Sequence, residues 1–275
     1  MLTHSKFKDT LIIIKGAGDL AGGVAYRLKR CGFPLIMTEL PTPLFVRRAV
    51  AFGEAVYSGQ TTVEGIAARR VDTPEEAAQL AATSIIPILV DPQATIVDRL
   101  KPQILIDAII AKKNTGTRQS DAPLVIALGP GFTAGQDCHV VIETNRGHNL
   151  GRVIYTGQAE ANTNTPGSVQ GKTASRVLRA PAAGLVTPAA QIGDTITEGQ
   201  LIATVNGQPI HAQFNGVLRG IIHPSVSVTP GYKIGDLDPR GNVTHCFTIS
   251  DKALAIAGGV LEAILADMPP VESSN

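Results

Sequence analysis

The chain has no tryptophan, aromatic residues make up only 4% of its 275 positions, and it carries three cysteines. Those cysteines, Cys31, Cys138 and Cys246, form no C-x-x-C pair. An odd, scattered set argues against a disulfide framework and against a structural zinc site, so no metal is expected. An excess of charge of either sign is also lacking. The formal net charge is +1, which gives no footing to bulk electrostatic binding of nucleic acid or of an anionic membrane. No apolar run reaches the length of a membrane span. The N-terminus has no charged segment followed by a long apolar one, so a cytoplasmic location is expected, where the thiols stay reduced. Glycine and proline are plentiful at 28 and 18 residues. That balance suits an α/β domain joined to a turn-rich β module better than a helical bundle.

The most informative stretch is Leu11-Ile12-Ile13-Ile14-Lys15-Gly16-Ala17-Gly18-Asp19-Leu20-Ala21. An apolar run ending in glycine reads as a strand buried on both faces. Gly16, Gly18 and Ala21 fit G-x-G-x-x-G/A, in which the first glycine permits a tight turn and the second lets backbone approach a phosphate. Leu20, Val24, Leu28 and Cys31 continue at helical spacing. A second strand, Leu35-Ile36-Met37-Thr38, then delivers Glu39 where a ribose-binding acid belongs. A βαβ unit that binds no nucleotide has the same pattern. Asp19 suits a helix N-terminus but would repel a pyrophosphate lying there. Arg47 and Arg48, in a short helix expected to end near Val50, read either as solvated charges or as a bidentate phosphate clamp.

Further strands are expected at Ala67–Val71, Ile86–Val90, Ile104–Ile110 and Leu124–Leu128, with a capped helix from Thr73 to about Ala82 and another reaching Leu100. Strands alternating with helices predict a parallel, Rossmann-like sheet. The loops after these strands would then share one edge, where open α/β sheets hold ligands. They contribute Gly16, Gly18 and Asp19, then Glu39, then Asp91-Pro92, then Lys112, Lys113 and Asn114, and finally Gly129 and Gly131. Lys112 and Lys113 could hold phosphate as point charges. A hairpin is expected from His139–Glu143 and Leu150–Tyr155; its His139 and His148 are candidate substrate contacts, with ordinary structural histidines as the alternative.

The segment 157–173 has a linker composition. Beyond it the chain repeats itself: Ala180 and Ala212, Gly184 and Gly216, Gly199 and Gly231 are each 32 residues apart. Val205-Asn206-Gly207-Gln208, a strong hairpin signal, joins the two halves. This pattern resembles the biotinyl/lipoyl-type barrel-sandwich. In that family a lysine at the tip carries the prosthetic group, and the stretch Leu201–Phe214 has none; no covalent biotin or lipoate is expected. The module would pack on the first domain, cover its cleft or dock a partner. His245–Ser250 reads as a strand, and Ser250 or Asp251 as the cap of a final helix expected to return to the first sheet. Pro269-Pro270 and the tail should fray. The expected domains are 1–172, 173–245 and 246–275.

With these landmarks, Ile14–Ala21, Met37-Thr38-Glu39, Arg47-Arg48, Val63-Glu64-Gly65, Ala111–Asn114, Leu128–Phe132, Ile142–His148 and Cys246–Ala253 together resemble the YqeB-type selenium-dependent molybdenum hydroxylase maturation proteins, comparable with XdhC-type chaperones. The resemblance implies an accessory role, a molybdopterin or molybdopterin dinucleotide ligand, and as partners the apo-hydroxylase or other maturation proteins. Under it, Cys246 or Cys138 would carry sulfur or selenium as a persulfide-like adduct; both also read as inert core thiols. An NAD-dependent oxidoreductase competes, with His139 or His148 as proton donor and Glu39 favouring NAD. So does a non-catalytic module that docks the apo-hydroxylase.

Overall fold

The computed structural model describes residues 7–162, 167 and 169–268. Pro269-Pro270, the Ser-rich tail and part of the linker lie outside the described residues. β1 (Ile12–Lys15) is buried along its whole length, and α1 (Asp19–Arg30) leads from it to β2 (Leu35–Glu39). There follow α2 (Ala55–Ser58), β3 (Gln60–Val63), β4 (Ile66–Val71), α3 (Pro74–Ala81), β5 (Ile86–Val90), α4 (Ile96–Leu100), β6 (Ile104–Asp107), β7 (Leu124–Leu128), β8 (Thr133–Ala134), β9 (Val140–Ile142), β10 (Val153–Ile154) and β11 (Gly157–Gln158). Nine of these strands form one mixed sheet in the order β10-β9-β7-β6-β1-β2-β5-β4-β3. Every pairing from β4 across to β9 is parallel, and the two edge strands are antiparallel.

Alternation along the strands divides the core into two layers, as a two-residue side-chain period requires. Ile12 and Ile14 face one layer with Ile106, Ile126 and α1. Ile13 faces the other with Leu105, Val125 and the apolar side of α3. Thr73 accepts the Glu76 amide at 3.2 Å and Pro74 occupies the first position of α3, the cap expected from sequence. The hairpin partner β3 was not expected, because Gln60-Thr61-Thr62 is polar. It is set by Glu64 and Gly65, whose φ values of 45° and 82° match a two-residue primed turn. The helix expected before Val50 is instead two 3-10 turns, Arg48–Val50 and Phe52–Glu54.

Helical crossovers fail between β6 and β7, where only a 3-10 turn at Gln119–Asp121 intervenes. The C-terminal helix α6 (Asp251–Asp267) fills that layer. Before it comes β12 (Val177–Arg179), β13 (Gly184–Pro188), β14 (Thr195–Ile196), β15 (Leu201–Val205), β16 (Gln208–His211), β17 (Gly216–Ile221), β18 (Ser227–Val228) and β19 (Lys233–Asp238), then α5 (Thr244–Phe247) and α6 (Asp251–Asp267). Ile256, Val260 and Ile264 of α6 join the cluster holding Ile126, Leu128 and Ile142. α1 and α6 run parallel: a side chain at Gly23 would meet Ala253, and Arg27 lies at Gly258.

The 32-residue repeat is written in the strands. β17 begins 32 residues after β13, β18 after β14, and β19 after β15. They form two antiparallel four-stranded sheets, β12-β19-β17-β14 and β16-β15-β13-β18. β14 pairs with β17 of the other half and β18 with β13, so the halves exchange strands. Asn206 and Gly207 both take positive φ at the β15–β16 turn.

One strand expectation is overturned. Within His245–Ser250 the chain makes a helical turn, because Asn242 Oδ1 accepts the Thr244 amide at 3.0 Å and the Cys246 amide bonds to Val243 O at 2.9 Å. This Asx turn, leading into a helical turn whose N-cap is Val243, outweighs the β propensity of Phe247-Thr248-Ile249.

Candidate functional site at the carboxyl edge of the sheet

The strand order reverses beside β1, with β2 on one flank and β6 on the other. At the carboxyl ends of these strands lies a cavity of about 310 Å³. Open α/β sheets hold ligands at such reversals. Gly16 and Gly18 form part of its wall, with Lys15, Asp19, Glu39 and Asp91 as its charged lining. Leu40, Leu44, Phe45, Ile109 and Ile110 are among its apolar lining residues.

The glycine turn is built by its neighbours. The Gly16 amide donates to Thr38 O at 2.9 Å, and with φ +89° Gly16 sits where a Cβ would come within 3.1 Å of Ala108 O and Ile109 Cα. Gly16 thus serves the approach of two strand-end loops. Gly18 is the N-cap of α1 in extended conformation and supplies no side-chain cap, so the first-turn amides stay open beside the cavity. The Phe45 ring lies against Gly18, where a Cβ would be 3.7 Å from Phe45 Cβ, and is wedged over Gly53.

Glu39 reaches back into this turn. Its Oε2 accepts the Ala17 amide at 2.8 Å and its Oε1 the Leu40 amide at 2.8 Å. Burial pushes its pKa up, and the two backbone bonds oppose that. An ionised carboxylate keeps lone pairs beyond these two bonds, so Glu39 can still accept from a ligand hydroxyl. Lys15 and Asp107 end adjacent parallel strands in register. Lys15 Nζ donates to Thr117 Oγ1 at 2.6 Å and lies 3.6 Å from Asp107 Oδ2, while the Thr117 hydroxyl donates to Asp107 Oδ2 at 2.6 Å. Sequence reading passed over this buried triad; its trace is an apolar strand ending in a charge, of opposite sign in the two strands. Asp91 caps α4 from a distance, its Oδ2 accepting the Ile96 amide at 2.9 Å.

The expected cations are elsewhere. Arg47 is buried, donating to His245 O at 3.1 Å and Thr248 O at 3.2 Å, with Asp19 Oδ2 at 3.5 Å. Its guanidinium fastens the module's exit segment to the first turn of α1. Arg48 pairs with Glu54, Nε to Oε2 at 2.8 Å. Lys112 and Lys113 are exposed, and none of the four lines the cavity. Asn114 orders its own loop, its Oδ1 accepting the Gly116 and Thr117 amides at 2.8 Å each. Gly129 faces Thr144, and a Cβ at Gly131 would meet Lys113 Cα at 2.5 Å, so these glycines seat loop on loop away from the cavity.

The nucleophile and acid–base candidates also lie outside it. Burial pushes the Cys138 thiol up to about 12 and raises that of Cys246, disfavouring thiolate at both. His139 Nδ1 accepts the Val125 amide at 2.9 Å, a structural bond, and His148 is exposed. Among the described residues no group of His, Cys, Asp and Glu is placed to hold a metal, and no helix is long and apolar enough to cross a membrane.

Over 255 residues, 93% of its length, the chain is 51% identical to a protein of Escherichia coli (strain K12). That relative is the uncharacterized protein YqeB. The chain spans about half of YqeB, 47% of its length. No protein-family model matches. Among solved structures, an aspartoacylase family protein from Mesorhizobium loti is 12% identical over 82% of this chain and 84% of its own, with a TM-score of 0.28. A succinylglutamate desuccinylase/aspartoacylase from Rhodobacter sphaeroides is 14% identical over 83% and 85%, with a TM-score of 0.26. Superpositions that poor carry no argument about fold or activity.

Proposed function

We propose that the chain is an accessory protein in the maturation of a selenium-dependent molybdenum hydroxylase, and that it holds the nucleotide-type part of a molybdopterin cofactor at the carboxyl edge of its large sheet. The pathway rests on the sequence blocks that resemble that family; the relative YqeB is itself uncharacterized and adds no role. The binding role rests on one observation: the cavity sits where the strand order reverses, between a glycine turn, an uncapped helix N-terminus and Glu39. The run β5-β2-β1-β6-β7-β9 supports a Rossmann-like reading, since it is the 3-2-1-4-5-6 order with extra strands at the edges. The duplicated module is read as a barrel-sandwich without its carrier lysine, and as the surface that docks the apo-hydroxylase.

The residues fit the cofactor in part. Glu39 and the apolar walls suit a sugar and a planar base. A pyrophosphate has no free cation in the cavity wall, because Arg47 and Arg48 are paired and Lys15 faces Asp107. Native mass spectrometry of protein purified anaerobically from a molybdenum- and selenium-replete host tests this reading, with the released ligand identified after denaturation. A molybdopterin species supports it. NAD would instead favour the oxidoreductase, and an unliganded chain that also fails to capture added molybdopterin dinucleotide would overturn it.

A further inference from the structure

The charge around the cavity has the wrong sign for the phosphates that a glycine turn suggests. Asp19, Glu39 and Asp91 line it, against the single cation Lys15. Lys15 is already matched by Asp107, 3.6 Å away and buried. Asp19 lies in the first turn of α1, where it answers the positive end of that helix before any ligand arrives. The Arg47 guanidinium that pairs with Asp19 is spent on two carbonyl oxygens and lies outside the lining. A phosphate within about 310 Å³ would therefore sit close to carboxylates in a partly desolvated space.

The same groups suit a different ligand surface. Glu39 accepts one backbone amide on each oxygen and has lone pairs to spare. Asp91 uses Oδ2 for the Ile96 amide and the Thr95 hydroxyl, which leaves Oδ1 as an acceptor. Phe45, Leu44 and Ile109 offer apolar faces for a ring. The volume lies at the small end of ligand cavities and suits a nucleoside rather than a dinucleotide. We propose that the cavity takes a neutral or cationic nucleoside-like group, gripped by its ring and by its hydroxyl or amino hydrogens, and leaves any phosphate outside in solvent. The proposal rests on the nucleotide-type reading above and narrows it: the glycine turn admits loop packing and a sugar, not a pyrophosphate.

Calorimetric titration of the full chain with adenosine, guanosine and cytidine, each beside its 5′-diphosphate, tests this at low salt and again at about 0.2 M salt. At least one nucleoside should bind, and its diphosphate should bind on the order of tenfold more weakly at low salt, with the gap closing as salt screens the repulsion. Asp91→Asn keeps an oxygen to cap α4 while removing a charge. It should tighten the diphosphate about threefold or more and weaken the nucleoside, because the amide nitrogen replaces the Oδ1 acceptor. A diphosphate that binds tenfold tighter than its nucleoside would overturn the inference and leave the nucleotide-type reading standing. Absence of binding by all six compounds would overturn both.

Discussion

Glycine 259 and glycine 258 stand side by side in α6 and answer to different forces. A Cβ at Gly259 would run into the carbonyl oxygen of Gly151, a backbone atom that cannot swing away. At Gly258 the nearest group is the end of the Arg27 side chain, 3.4 Å off. Gly259→Ala should cost about 2 kcal/mol or more by thermal or urea denaturation. Gly258→Ala should be neutral to stabilising by roughly 0.5–1 kcal/mol. The sequence shows only two glycines that weaken a helix; which one is obligatory depends on a loop more than a hundred residues earlier. Asp238 gives a pH signature. Burial pushes its carboxyl up, but the bonds and charges of Arg240 and the charge of Arg219 outweigh this and hold it at about 2, below the ordinary 3.8. A folded pKa below the unfolded one adds stability above about pH 4 that is lost as pH falls toward 2, worth about 2 kcal/mol. Asp238→Asn should flatten that acid limb and cost about 3 kcal/mol at neutral pH, because it strands two arginines. Of the three thiols only Cys31 is not fully buried. Native chain treated with a thiol reagent should react at Cys31 alone; fast reaction of Cys138 or Cys246 would revive them as carriers.

At the scale of elements, the large sheet was readable wherever burial on both faces leaves an apolar run, as in β1, β2, β5, β6 and β7. The cap of α3 was readable because Thr73, Pro74 and Glu76 act within one turn. β3 was not, since an edge strand is half solvated and Gln60-Thr61-Thr62 carries no apolar signal. The helical turn at Thr244–Phe247 was hidden by Phe247-Thr248-Ile249, an aromatic and two β-branched residues with the composition of a strand. The edge of the sheet was legible in part. Gly16, Gly18, Asp19 and Glu39 meet at one cavity. Arg47, Arg48, Lys112 and Lys113 do not join them, because the sequence cannot show that His245, Thr248 and Glu54 already take the two guanidiniums. Gly18 separates binding from folding. Its φ of −71° suits any residue, and a Cβ there meets only ordinary contact with Phe45. Gly18→Leu should leave stability within about 1 kcal/mol while filling the cavity.

At the scale of the molecule, the duplicated module does not cover the cavity: none of its residues lines it. It rests on the segment after β2 instead, with Val46 and Tyr57 joining its core and Gly220 backed onto Val46 O at a distance that excludes a Cβ. Arg47 sits at this junction, bonded to the module's exit segment on one side and to Asp19 on the other. The module thus braces the loop that carries Phe45 to the cavity, while its strands β13 and β16 stay largely exposed. The proposed binding site for the cofactor-type ligand is the sheet edge at Gly18. Native mass spectrometry on wild-type and Gly18→Leu protein, both isolated anaerobically from a molybdenum- and selenium-replete host, tests it most directly. A bound mass should appear on the wild type and be absent from an equally folded variant. The same mass retained on both would contradict it, and would move the site away from this edge.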